Sequence, residues 1–392
     1  MWYKVRGEWS SPGGRRLAEE LKMSLLELVL RSVRTRIGRE TDLGAWAAWA
    51  RIPHRERPGT IVDGTLMSHL LGIHGKAWEP EAFRRPETVA DLGRAAVADA
   101  DLTIEALDAV LLVTCTPFEH TLDQDAHRFA RLLGLNDTTP VLQLHAGCAG
   151  LARAVSVIAA LRARRVLVLT WNSPGAYMTL PDGSPNPLYR DNTTHPDADM
   201  LWFSPALFSD GAAAAVFERA GEVSGHLHYT RDVHPQPPFT AADDPLVVYP
   251  GGGALHPPGS PGSLALQAFG MHGGAVTRYY NEGMLENGRA LEAAMPGYAG
   301  RVRRIYTHQA SPRLVRGFLD RSGLPREKVP THCERLGNLV SVSTLQLFAE
   351  DRAAGHVAPG DWLCFTVVGA GPERGAFVLP YAPPGCVPTP SP

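Results

Sequence analysis

Apolar positions along the chain fall into two rhythms. From Pro86 onward, short unbroken apolar runs alternate with stretches whose apolar residues recur every three or four positions, the pattern of buried strands separated by amphipathic helices. Thr88–Ala98 reads as a helix, Ala109–Thr114 as a buried strand, and Asp123–Leu133 as a helix stopped by Gly134. Val141–Leu144 and Arg165–Thr170 are two more buried strands, with helical spacing of Leu151, Val155, Ile158, Ala159 and Leu161 between them. Phe208–Glu218 returns to strand character, its alanines small enough for close packing. The second half repeats this grammar. Ala265–Met295 is largely helical, Arg303–Thr307 a strand, Pro312–Asp320 a helix closed by Gly323, and Leu339–Ala354 a helix closed by Gly355; Trp362–Val368 and Gly375–Pro380 are strands. Such alternation implies an α/β protein with mixed sheets covered by helices on both faces. Two such runs suggest a duplicated α/β unit, with residues 1–225 as one half and 226–392 as the other, although no repeat can be aligned.

Three regions break the rhythm. Within the divergent residues 1–60, Leu17–Arg36 sets Leu21, Leu25, Leu28, Val29 and Leu30 beside Arg and Glu, which predicts an extra amphipathic helix packed on the body of the protein. Glu19, Glu20 and Glu27 argue against a membrane-surface role for it. Residues 173–207 read as a long structured loop and Pro235–Gly262 as a second Pro/Gly-rich one.

Composition narrows the function classes. At 392 residues, 44% hydrophobic and 20% charged, the chain is long enough for two core-sized units of ordinary globular composition. A formal net charge of −2 without a dense Lys/Arg run argues against nucleic acid as a partner. Cys115, Cys148, Cys333, Cys364 and Cys386 form no CxxC pair, so neither a structural metal site nor a disulfide framework is expected and reduced thiols in a cytoplasm fit best. Nothing approaches the ~18 apolar residues of a membrane span. No phosphate loop or dinucleotide fingerprint points to a cofactor.

The chemistry centres on Val141–Leu151, where a buried strand gives way to a helix at Cys148. A helix N-terminus favours a thiolate, and Ala146, Gly147, Ala149 and Gly150 leave the sulfur open. A small buried hydrophobe is the alternative reading. His308 follows a buried strand at the sheet edge where α/β proteins bind ligands, and Asn338 follows a glycine and opens an apolar helix. Taken singly, His308 reads equally as a core histidine and Asn338 as an N-cap. Together the three form a coherent set: a thiolate that makes a thioester, and two neutral donors able to hold an enolate oxygen.

These segments resemble the thiolase-fold condensing enzymes, specifically β-ketoacyl carrier-protein synthase III. The matching stretches are Gly-Cys-Ala-Gly-Leu around Cys148, Phe-Ser-Asp-Gly-Ala-Ala-Ala-Ala-Val at 208–216, His-Gln-Ala at 308–310, Gly-Asn at 337–338, and Gly-Asp-Trp-Leu…Gly-Ala-Gly at 360–371. The resemblance spans roughly residues 62–381. It implies a thiolase-like fold and a homodimer, with Cys148 taking an acyl group from a thioester. A malonyl-type extender on an acyl carrier protein then loses carbon dioxide while His308 and Asn338 hold the enolate. The resemblance also implies an oxyanion hole from the backbones of Cys148 and Ala370, and pantetheine or tunnel contacts from Ser311, Gly369 and Gly371. Leu122 is the candidate lining the partner's acyl tunnel; an ordinary packing leucine is the competing reading. No cofactor is implied beyond acyl-phosphopantetheine or coenzyme A thioesters as substrates.

Departures bear on the substrate. The family's His-Gln-Ala-Asn reads His-Gln-Ala-Ser, with Ser311 last, and the family's adenine-gripping Trp and Arg become Leu66 and Leu70 before Gly72-Ile73. Loading from a carrier protein is therefore favoured over loading from coenzyme A, and specialised metabolism such as polyketide assembly over primary fatty-acid initiation. Two other readings remain: a same-fold acyltransferase passing the Cys148 acyl group to an alcohol or amine, and a non-catalytic partner subunit, which retention of all three residues disfavours.

Overall fold

Buried strands of Val, Leu and Ala build two sheets that sandwich a layer of helices. The computed structural model describes residues 24–387 except 55–56, 162, 196–197, 199–200 and 234–245. In chain order its strands are β1 (Ser24–Leu26), β2 (Leu28–Ile37), β3 (Arg39–Asp42), β4 (Gly75–Trp78), β5 (Ala109–Thr114), β6 (Val141–His145) and β7 (Arg165–Asn172). There follow β8 (Gly211–Arg219), β9 (Gly225–Arg231), β10 (Val247–Val248), β11 (Gly270–Met271), β12 (Arg304–Thr307), β13 (Trp362–Gly369) and β14 (Glu373–Pro380). One five-stranded sheet runs β2-β8-β7-β5-β6 and the other β1-β9-β14-β13-β12. Both are mixed: β5 pairs in parallel with β6 and β7 but β8 is antiparallel to β7, and β12 is parallel to β13 while β14 is antiparallel to it.

Helix Gly150–Ala160 touches strands of both sheets, and Ser343–Ala353 packs on β2 and β12, so these two helices fill the space between the sheets. Pro86–Asp99 covers the outer face of the first sheet and Gly273–Ala294 that of the second. The alanine run of β8 shows how the sequence permits this layering. Ala213 and Ala215 face the central helices, whereas Ala212 and Ala214 face the outer one, and all four are fully buried. Successive side chains of a strand point to opposite faces, so only small residues on both faces let helices approach from either side.

The N-terminal region differs from its sequence pattern. The described part of the expected Leu17–Arg36 helix is extended, forming β1 and β2, while residues 17–23 lie outside the described residues. Leu28, Val29 and Leu30 are buried consecutively because β2 has protein on both faces, and a run buried on both faces looks the same in a strand as in a buried helix. β1 also crosses the expected division of the chain at residue 225, adding antiparallel to β9 in the second sheet. Among the described residues of this region the helix lies later, at Leu43–Ala50, where the Asp42 carboxylate accepts the Ala45 N–H at 3.0 Å.

Smaller differences concern boundaries. Residues 173–207 contain short helices at Pro174–Met178, Pro187–Arg190 and Phe203–Leu207. Strand β8 starts three residues after Phe208. The helix expected from Ala265 starts at Gly273, preceded by turns and β11, and the helix expected from Leu339 begins as a 3₁₀ turn at Val340–Val342. Of the Pro/Gly-rich 235–262 stretch, residues 246–262 are described and carry β10. Leu167 on β7 is fully buried against the outer helix layer. Leu167→Ala should cost about 2–5 kcal/mol of stability, read as a lowered denaturation midpoint; a loss under about 1 kcal/mol would mean that this layer does not close on β7.

Candidate active site

The three chemistry-bearing residues reach one place by three routes. β6 ends at His145 and the chain turns through Cys148 into the Gly150–Ala160 helix. β12 ends at Thr307, and His308 follows with its backbone N–H donating to Thr366 O at 2.9 Å. Asn338 follows Gly337, whose φ of 68° and surroundings require glycine: a Cβ there would lie 2.6 Å from Ser209 Oγ and 2.9 Å from Leu207 O. The ends of both sheets thus deliver side chains to one cavity of about 320 Å³, lined by Cys148, His308 and Asn338 together with Tyr280, Leu70 and Ser311. A second cavity of about 280 Å³ also opens on Cys148, between Cys115, Tyr249, Phe269 and the Gly369–Gly371 loop. Gly369 approaches the nucleophile loop so closely that a Cβ would stand 2.8 Å from Ala149 N.

Burial decides the protonation states. The Cys148 thiol is pushed up by desolvation, with Cys115 and Glu373 adding to the shift; its own backbone N–H and the Asn338 side chain hydrogen-bond the sulfur and oppose the rise without reversing it. The helix terminus therefore does not produce a resting thiolate, as its position in sequence suggested. His308 is pulled down to about 3 by burial and by neighbouring His332, so it is neutral at working pH. Its Nδ1 is buried without a hydrogen-bond partner. An unpartnered ring nitrogen costs less as a lone pair than as an N–H, which favours the Nε2–H tautomer. The Tyr280 hydroxyl donates to His308 O at 2.7 Å and fixes the turn. Asn338 Oδ1 accepts the Val340 N–H at 2.8 Å, leaving its amide N–H groups for the sulfur and for a ligand.

Residues 299–381 match the model of the 3-oxoacyl-[acyl-carrier-protein] synthase III C-terminal family. The chain is 28% identical over 299 residues to β-ketoacyl-[acyl-carrier-protein] synthase III 3 of Streptomyces coelicolor, covering 73% of this chain and 79% of that one. It is 26% identical over 315 residues to the synthase III of Rhodobacter capsulatus, covering 79% and 87%. Over most of its length the chain is similar to the synthase III condensing enzymes, and its fold is thiolase-like. Among solved structures, this synthase III-like fold superposes on 3-oxoacyl-(acyl carrier protein) synthase III of Pseudomonas aeruginosa PAO1 with a TM-score of 0.68 at 21% identity, covering 92% of this chain and all of that one. It also superposes on cerulenin-bound OleA of Xanthomonas campestris with a TM-score of 0.70 at 14% identity, covering 91% and 98%.

Other expected site residues divide by position. Ser311, Gly369 and Ala370 line the first cavity, and Gly369, Ala370 and Gly371 the second. Ser311 also caps helix Pro312–Ser322, its Oγ accepting the Leu314 N–H at 3.3 Å. Leu122 joins neither cavity; it is 85% exposed, with a left-handed φ of 59° next to Asp123 at 52°. The pattern reading missed Tyr280 and Phe208, which line the first cavity, and Lys76 and Asp210 behind it. A tyrosine in a long helix and a lysine in a four-residue strand carry no local signal of their tertiary contacts. The protonation argument gives a direct test. Alkylation of Cys148 by iodoacetamide, followed by peptide mass mapping, should keep rising with pH above the ~8.5 of an ordinary thiol; a plateau reached by pH 7 would mean a resting thiolate.

Proposed function

We propose that this synthase III-like enzyme performs a decarboxylative Claisen condensation between a Cys148-bound acyl group and a malonyl-type extender on an acyl carrier protein. The observation that carries this reading is the single cavity shared by Cys148, His308 and Asn338. In the loading step the Cys148 sulfur attacks the incoming thioester carbonyl, the bond from that carbonyl to the pantetheine sulfur breaks, and the thiol proton leaves on the departing sulfur. In the second step the carboxylate of the extender departs as carbon dioxide and its electron pair moves into an enolate. Neutral Nε2–H of His308 and the Asn338 amide are donors suited to that oxygen. The enolate carbon then attacks the acyl thioester, the carbon–sulfur bond to Cys148 breaks, and the sulfur takes up a proton. In this reading the backbone N–H groups of Cys148 and Ala370, both of which line the cavities, hold the tetrahedral oxyanion. The chemistry draws on the thioesters themselves and asks for no added cofactor.

The two cavities support a division of labour. The larger, with Ser311 and Leu70 among its lining residues, suits the pantetheine arm, and the one walled by Tyr249 and Phe269 suits the acyl chain. Leu70, 38% exposed, and Leu66, packed against the Trp46 cluster, supply neither the ring nor the guanidinium that would grip an adenine, which favours a carrier-bound donor over coenzyme A. Edge strand β6 leaves Val141, Leu142 and Leu144 half-buried, and Leu122 stands exposed, features that suit a second copy of the chain. Segments 173–207 and 246–272 contribute Pro174, Tyr249 and Phe269 to the acyl cavity, which supports a specialised product such as a polyketide. Carrier-bound substrates favour the cytoplasm as the place of the reaction; no described helix is long and apolar enough to cross a membrane.

The stepwise test separates the roles. Cys148→Ala should abolish the acyl mass increment on the intact protein, and continued loading would remove Cys148 from the mechanism. Asn338→Ala should load normally but release carbon dioxide from malonyl-carrier about 10²–10³-fold more slowly, the cost of losing one oxyanion donor. Because His308 is held neutral down to about pH 3, carbon dioxide release should show no His308 titration between pH 5 and 8; an inflection there that disappears in His308→Gln would contradict its neutral-donor role.

A further inference from the structure

Lys76 is a fully buried lysine that borders neither cavity. Its ammonium sits between two indoles, 4.5 Å from the ring centroid of Trp46 and 4.4 Å from that of Trp78. It donates to Pro205 O and lies 3.5 Å from Ala206 O. Asp210, the neighbouring anion, is pinned in turn: its carboxylate accepts Glu79 N–H at 2.8 Å and Gly175 N–H at 2.7 Å, and its own N–H donates to Ala77 O at 2.9 Å. Residues 205–210 are therefore gripped at both ends from β4 and its flank.

Asn338 hangs on the middle of this segment. Its N–H donates to Leu207 O at 2.9 Å, and its carbonyl accepts Ser209 N–H at 2.9 Å. A methionine or leucine could fill the space of the Lys76 side chain without the cost of desolvating an ammonium. Only a donor can hold the carbonyls of Pro205 and Ala206; burial pulls the Lys76 ammonium down to about 7 against the opposing pull of Asp210, so the cation that gains from both indole faces is present at neutral pH and below.

We propose that Lys76 is a positioning residue for Asn338: its caged ammonium fixes residues 205–210, and through the two main-chain bonds fixes the direction of the Asn338 amide. Lys76 does not touch substrate. Its effect is selective, because the loop bearing Cys148 leaves β6 and does not hang on this segment. This inference rests on the enolate-holding role proposed above for Asn338.

The test compares two rates in the full-length enzyme: acyl loading of Cys148 by intact mass, and carbon dioxide release from malonyl-carrier protein. Lys76→Met should load within about threefold of wild type but decarboxylate about 10²-fold more slowly, the scale of a misplacement of about 1 Å. Trp78→Leu removes one wall of the cage and leaves the ammonium, and should shift the same ratio about tenfold; it serves as the readout if Lys76→Met does not fold. An unchanged ratio in the folded variant, or a parallel loss of both rates, overturns the positioning role. Asn338→Ala measured alongside separates the two claims. If it decarboxylates normally, the Asn338 role fails; if it does not and Lys76→Met does, only the Lys76 inference fails.

Discussion

Two main-chain hydrogen bonds, Asn338 N–H to Leu207 O and Ser209 N–H to Asn338 O, are the constraint on which the candidate site depends. They join the end of the turn before β8, in the first sheet, to the loop that precedes the central helix Ser343–Ala353. The central helices separate most of the two sheets, and where the sheets meet directly, at β2 and β14 with Leu30 bridged to Tyr381, the contact does not involve Cys148, His308 or Asn338. With this ladder in place the Asn338 amide meets the Cys148 sulfur, and Thr170 Oγ1, 2.6 Å from Ser341 Oγ, ties the following turn to β7.

A second close approach completes the cavity from the other side. Gly369 at the end of β13 stands against Ala149 with no room for a Cβ, which brings the Gly369–Gly371 loop over Cys148. That crowding also narrows the site. Desolvation raises the Cys148 thiol and lowers His308, and both shifts leave neutral groups facing an incoming thioester. Neutral donors in a low-dielectric cavity suit a reaction whose charge appears on an oxygen during the step, since fixed dipoles there need little reorganisation. The same burial that argues against a resting thiolate therefore favours enolate chemistry.

The sequence pattern carried the architecture where a short apolar run stood between polar or turn-forming residues. Ala109–Thr114 is unbroken apolar residues and is β5 at those bounds, and Cys148, His308 and Asn338 each stood beside a legible strand end or glycine. It misled at Leu28–Leu30, where β2, last in its sheet yet buried on both faces, has no alternation to distinguish it from a helix. It was silent on Lys76, since only the fold supplies the two indoles, the carbonyls and the carboxylate that make a buried ammonium tolerable. Protonation states were likewise out of reach: the helix dipole is visible in sequence, and the desolvation that outweighs it is not.

The central claim is that these side chains join two acyl units through carbon. The most direct measurement supplies the enzyme with an acyl-carrier donor and malonyl-carrier protein labelled with carbon-13 at the free carboxyl and, separately, at the methylene carbon. Products are then read by mass spectrometry. A 3-ketoacyl-carrier product that has lost the carboxyl label to carbon dioxide and retains the methylene label is the predicted result. Transfer of the Cys148 acyl group to oxygen or nitrogen of an acceptor, with the malonyl group left intact, would contradict the account.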